Sequence, residues 1–225
     1  MNRLGILTGF RVEARLLRAL SGHAPLVACS GADAERARAI ARDLVERGAK
    51  ALVSFGLAGG LAEGLAAGTL LLPSEIRLHD GSLAAVDPTW RAKTLERMNG
   101  LHPSGGCMAC APLVLATRAD KQALAERSSA VAADMESEAV AVAAQRAGLP
   151  FLVLRAVADP WDAGVPPPIL AALATTGSLR FFAAAVELMR HPGQLSALLR
   201  LARDGHEALT ALRTALNQLD SLEPP

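Results

Sequence analysis

Residues 153–159 read Val-Leu-Arg-Ala-Val-Ala-Asp, and a short way upstream residues 134–137 read Asp-Met-Glu-Ser. The first stretch has the length and apolar content of a buried strand that delivers Asp159 at its C-terminal end; the second opens a helix. Open α/β sheets bind ligands in the crevice beyond the carboxyl ends of their strands, so an acid leaving a strand and another beginning a helix converge there. Two separated acids in one cleft point to bond cleavage rather than packing.

Around this pair the chain alternates. Short apolar runs at Leu4–Thr8, Leu26–Ser30, Ala51–Phe55, Thr69–Pro73, Leu113–Ala116 and Phe151–Ala158 read as strands, each bounded by Gly, Pro or polar residues. Helical spacing is expected over Glu13–Leu20, Asp33–Arg47, Pro88–Met98, Arg118–Ser128, Met135–Ala147 and Ile169–Met189. The alternation predicts an α/β fold, a single-domain mixed and largely parallel sheet with helices on both faces. At 225 residues, 51% of them apolar, one domain with a substantial core is the expectation. It is assigned to residues 1–190, with 191–225 as a C-terminal amphipathic helical extension. In that tail, after His191-Pro192-Gly193, residues Leu195, Leu198, Ala202, Gly205, Leu209, Leu212, Leu216 and Leu219 recur as a heptad seam. Two readings stay open for it: packing on its own domain or on a dimer partner, and a peripheral membrane helix flanked by Arg190, Arg200, Arg203 and Arg213. Asp204, Glu207, Asp220 and Glu223 dilute the basic character of the second.

Composition excludes several functions. Lys and Arg number 23 against 22 Asp and Glu, so no global field draws in nucleic acid. Aromatic residues make up 3% and Tyr is absent, leaving few rings on which bases could stack. Three cysteines and a first strand beginning at the N-terminus point to a reducing cytoplasm, with peripheral contact to the inner membrane as an added option. Cys107 and Cys110 have the spacing of a zinc or redox pair but lack a second pair, so they read as reduced thiols in a loop.

Four groups carry candidate chemistry. Asp134 reads as the N-cap of the Met135–Ala147 helix, with Met135 and Glu136 on its first turn, and Glu136 suits a diol because a carboxylate accepts from two hydroxyls at once. Asp159, released from an apolar strand before Pro160, is placed to be desolvated and to deliver a proton. Glu13 opens a helix after the first strand. Gly56-Leu57-Ala58-Gly59-Gly60-Leu61 is a Gly-rich turn that permits close backbone approach to a ligand.

In their order these motifs resemble the purine nucleoside phosphorylase and nucleosidase superfamily, especially methylthioadenosine/S-adenosylhomocysteine nucleosidases, over nearly all of residues 1–190. Gly5-Ile6-Leu7 through Glu13 is similar to the family's first strand and its acidic residue. Ser30-Gly31 is similar to its turn after a core strand, and residues 56–61 to its sugar-side turn. Asp134–Ser137 looks like the ribose-binding motif, and Arg155–Asp159 like the strand ending in the purine-protonating Asp. Within the superfamily, Arg155–Pro160 and the tail from His191 to Asp204 are most similar to hopanoid-biosynthesis phosphorylases. The resemblance implies cleavage of an N-glycosidic bond with adenine release, from adenosylhopane in hopanoid biosynthesis. Alternatives are a methylthioadenosine/S-adenosylhomocysteine nucleosidase or purine nucleoside phosphorylase, and a non-catalytic nucleoside-binding protein.

The implied roles are Asp159 as proton donor, Glu13 orienting a water, Met135 and Glu136 holding ribose, and Ser30, Gly31, Arg36 and Gly59 on the phosphate or water side. No cofactor or metal is implied, though inorganic phosphate is a candidate co-substrate; a homo-oligomer is expected. Leu57 stands where the family usually has a hydroxyl residue, and a strand pair of the family is missing between Leu20 and Pro25. Both leave phosphate as nucleophile an open question.

Overall fold

A computed structural model describes residues 3–20, 24–166, 195–222 and 224. Its strands are β1 (Arg3–Thr8), β2 (Leu26–Cys29), β3 (Ala49–Gly60), β4 (Leu70–Leu71), β5 (Glu75–Arg77), β6 (Leu83–Ala85), β7 (Cys107–Cys110), β8 (Ala132–Asp134) and β9 (Phe151–Asp159). The helices are α1 (Arg11–Leu16), α2 (Ala34–Glu46), α3 (Pro88–Arg97), α4 (Arg118–Ser128), α5 (Ser137–Ala147) and α6 (Leu195–Leu219). The starts of α2, α3 and α4 follow their sequence signals. Asp33 and Asp87 cap α2 and α3 through backbone N–H groups of Arg36 and Trp90, and Thr117 and Asp120 form a reciprocal capping box on α4.

The sheet runs β2-β1-β3-β8-β7-β5-β6, with β9 pairing β3 and β4. Pairs β1–β2, β1–β3, β3–β9, β5–β7 and β7–β8 are parallel; β3–β8, β4–β9 and β5–β6 are antiparallel. The mixed, largely parallel sheet is therefore present as expected. Eight consecutive residues of β9 are buried, so both faces of the sheet are covered there. β3 is the branch point. Its first part lies between β1 and β9, whereas Gly59 and Gly60 turn to pair with β8.

Several expectations are corrected. Residues 113–116 form no strand; after Pro112 the chain crosses the surface and leaves Leu113 74% exposed. The strand is Cys107–Cys110 instead, whose thiols are free but not in a loop. Helix α5 begins at Ser137 rather than Met135, because Asp134 is the last residue of β8 and its Oδ1 accepts the Ser137 N–H from there at 3.2 Å. The tail stripe is also shifted: Ala202 is exposed and Asp204 buried, and Ala208, Leu212, Ala215, Leu216 and Leu219 join the same core as the strands. The helix packs on its own domain. The expected helix Ile169–Met189 and the His191-Pro192-Gly193 interruption lie outside the described residues.

Candidate functional site

The ends of β1, β2, β3, β8 and β9 bring the ionisable residues together. Glu13, in the first turn of α1, is 1% exposed. Its Oε2 accepts the Phe10 N–H at 2.7 Å, closing the helix start, and its Oε1 accepts the Leu57 N–H of β3 at 2.9 Å. Gly56 makes that approach feasible. Its φ is +148°, and a Cβ there would lie 2.5 Å from the Glu13 carboxyl carbon.

Glu136 follows β8 and is 3% exposed. Its Oε1 accepts from Ser30 Oγ at 2.9 Å, and its Oε2 lies 3.4 Å from Arg155 Nη2. The same Nη2 is 2.6 Å from Asp134 Oδ2 and donates to Ser54 Oγ at 2.5 Å, while Nη1 donates to the Leu57 carbonyl at 3.1 Å. Ser137 Oγ completes the cluster by donating to Asp134 Oδ2 at 2.6 Å. Arg155 Nε is buried without a hydrogen-bond partner among the described residues.

The electrostatics follow from three buried carboxylates around one guanidinium. Burial raises Glu13 to about 7, a rise that Arg155 opposes and Glu136 reinforces. Glu136 is raised by burial too, with Arg155 lowering it and Asp134 raising it. Burial works against the Arg155 charge, yet Asp134, Glu136 and Glu13 together hold its pKa above the ordinary value.

Asp159 sits at the other end of this stretch, opposite Gly59 in the β3–β9 register. A Cβ on Gly59 would be 3.2 Å from Asp159 Oδ2, so glycine is again what admits a carboxylate. Burial raises the Asp159 pKa, opposed by Lys121, whose Nζ is 2.6 Å from Oδ2. Glu13 and Asp159 thus meet β3 at residues 57 and 59, roughly 7 Å apart along a strand.

The remaining expected site residues fall as follows. Met135 lines a small crevice with Arg38, His79, Cys110, Ala111 and Glu138. The Ser30 and Gly31 N–H groups already donate to the Thr8 and Gly9 carbonyls at 2.8 Å each. Arg36 is exposed on α2. Among the described residues, no group of three or more His, Cys, Asp or Glu is arranged to hold a metal ion.

Arg155, Ser54, Lys121 and Asp204 are buried polar residues to which the sequence pattern assigns no role. For Arg155 the signal was present, since a charge inside an apolar strand must find partners. Lys121 gives none, because a lysine on a short helix looks like a solvated residue.

A profile for the Phosphorylase superfamily matches residues 8–178. The chain belongs to the phosphorylase superfamily. That membership makes it an enzyme of the phosphorylase and nucleosidase type. Among solved structures of similar fold, a mutant of the Helicobacter pylori methylthioadenosine nucleosidase with 5′-methylthioadenosine in its active site is 18% identical, at a TM-score of 0.68. The match covers 96% of this chain and 99% of that one. The S-adenosylhomocysteine nucleosidase of Streptococcus pyogenes, in complex with 5-methylthiotubericidin, is 21% identical at a TM-score of 0.66, covering 96% and 97%. A futalosine hydrolase mutant of Helicobacter pylori is 20% identical at 0.60, covering 70% and 89%. At these identities the likeness to these structures is one of fold.

Proposed function

We propose that this protein hydrolyses the N-glycosidic bond of an adenine nucleoside with a large apolar 5′ substituent, adenosylhopane in hopanoid biosynthesis. The observation that carries the reading is the pair of acids meeting β3 two residues apart, Glu13 at Leu57 and Asp159 at Gly59. Asp159 gives its proton to N7 of the purine as the C1′–N9 electron pair leaves with the base. Glu136, with Met135 beside it, holds the ribose hydroxyls. A water adds its oxygen to C1′ and passes a proton to Glu13. The positive charge that develops on the sugar ring is stabilised by the excess of buried carboxylates over Arg155.

Water is favoured over phosphate on electrostatic grounds. The Phe10 and Leu57 amides that could receive an anion hold the Glu13 carboxylate instead, and the Ser30 and Gly31 amides are bonded to backbone. A phosphate dianion would enter beside Glu13, Glu136 and Asp134 with only Arg155 among the groups of that cluster to offset it. An apolar 5′ group is supported by Leu195 and Leu199, 50% and 63% exposed at the start of α6. Arg200 of that turn is 3.6 Å from Asp162, three residues beyond Asp159. Burying ~100 Å² of hydrocarbon contributes about 2.5 kcal/mol. The rival substrate is 5′-methylthioadenosine itself, favoured by the structural neighbours. Adenine release from both nucleosides, with and without inorganic phosphate, tests the reading. Free ribosyl product at an unchanged rate without phosphate, and a higher kcat/KM for adenosylhopane, are expected; a requirement for phosphate would reassign the nucleophile.

Glu13 also predicts a pH signature. Its pKa of about 7 when folded, against 4.5 ordinarily, means the folded state binds the proton more tightly, so this group's contribution to stability falls as pH rises from about 4.5 to about 7. Activity has the opposite sense on this limb, since the base must be ionised. Urea unfolding should show the wild type losing ~1–3 kcal/mol more than Glu13→Gln between pH 4.5 and 7. Parallel pH–stability curves would show that Glu13 is not held this way.

A further inference from the structure

We propose that Lys121 is a positioning residue for the reaction: its buried ammonium clamps Asp159 and the backbone around it, so that one carboxyl oxygen is fixed and the other faces the base. The inference rests on the proposed role of Asp159 and extends it to a residue of another element.

The geometry is a three-point hold. Lys121 Nζ lies 2.6 Å from Asp159 Oδ2 and donates to the carbonyls of Asp159 at 2.9 Å and Pro160 at 2.8 Å. An ammonium has three N–H donors, and these three acceptors use them all. The side chain is 1% exposed. Oδ1 is left as the oxygen that no described residue engages.

Position argues that this is more than packing. Lys121 stands in the second half of the first turn of α4, a short helix whose N-terminus carries Thr117 and Asp120 as caps. A buried cation near a helix N-terminus opposes the helix dipole and costs desolvation, so the placement is not one that helix stability selects. Such local conflicts concentrate at functional sites. Arg118, one turn earlier on the same face, stacks 3.9 Å above the Trp161 ring, so α4 grips the β9 exit at two points. The chain beyond is tied as well, with the Val165 N–H donating to the Ala116 carbonyl at 2.9 Å.

The clamp sets charge as well as orientation. Lys121 from α4 lowers the Asp159 pKa that burial raises, and Asp204, buried on α6, raises it further. Asp204 is itself 3.3 Å from Arg203. Removing Lys121 therefore frees the carboxyl to rotate and shifts its titration upward, and because the acid must be protonated to act, the alkaline limb of activity moves to higher pH.

The test is adenine release from 5′-methylthioadenosine over roughly pH 5 to 9 by wild type, Lys121→Met, Lys121→Gln, Asp159→Asn and the Lys121→Met/Asp159→Asn double variant, with thermal melts of each. Expected are a kcat loss of about 10–100-fold for Lys121→Met with KM within a few-fold, an alkaline limb raised by about one pH unit, and a double variant no slower than Asp159→Asn. Lys121→Gln, which keeps a donor, should fall between, and it carries the test alone if Lys121→Met does not fold. An unmoved limb with kcat near wild type overturns the proposal, as does an equal loss in the Asp159→Asn background, which marks a purely structural lysine. If Asp159→Asn itself stays active, the proposed function fails at Asp159, and the role of Lys121 with it.

Discussion

Asp159→Asn is expected to lower adenine release by about 10²–10⁴-fold while the protein stays folded, the usual scale for losing a general acid. Asn keeps the size of the side chain, and its amide oxygen can still accept from Lys121, so the end of β9 keeps most of its hold. What it lacks is the proton. N9 of a purine is a poor leaving group without protonation elsewhere on the ring, and in the proposed mechanism Asp159, opposite Gly59 in the β3–β9 register, supplies that proton. Leu57, with its aliphatic side chain, offers no substitute donor. The loss should therefore appear in kcat more than in KM. Activity within a few-fold of wild type, measured as adenine released per folded protein, would leave Asp159 as a turn residue and move the proton donor elsewhere.

The fold was readable where local and global signals agree. β1, β9, α2 and α4 were found within a few residues because apolar runs, caps and glycines coincide there. The misses share a cause. β5, β6, β7 and β8 are three or four residues long, and β7 is Cys-Met-Ala-Cys, a poor strand sequence that pairs because β5 and β8 lie on either side. Residues 113–116 have the better local pattern but follow Pro112 out of the sheet. The carboxylates of the candidate site were legible as residues for a related reason: Glu13, Glu136 and Asp159 sit at or near element ends, where sequence marks boundaries. The partners of the cations were not. Arg155 and Lys121 reach their partners across strands and helices far apart in the chain, and neither partner is visible until the sheet is assembled.

Arg155→Met should be the most destabilising single change in the cluster, by about 3–5 kcal/mol at pH 8, because it strands buried carboxylates that the guanidinium now offsets. Arg155 touches Asp134, Glu136, Ser54 and the Leu57 carbonyl at once, so Met also takes the guanidinium donor from that carbonyl and from Ser54, which keeps only the bond from Ser137 Oγ. For a domain of this size the loss corresponds to roughly 6–20 °C in melting temperature. The pH dependence gives the cause away. Arg155 is what opposes the upward shift of Glu13 and Glu136, so without it both take up protons more readily and are neutral at lower pH, where the deficit should shrink. Adding Asp134→Asn to Arg155→Met should likewise recover part of the loss, a coupling that two independent sites would not show. A penalty equal at pH 5 and pH 8, with no recovery in the double variant, would mean that Arg155 contributes packing volume rather than charge, and that the carboxylates around it are held apart by something else.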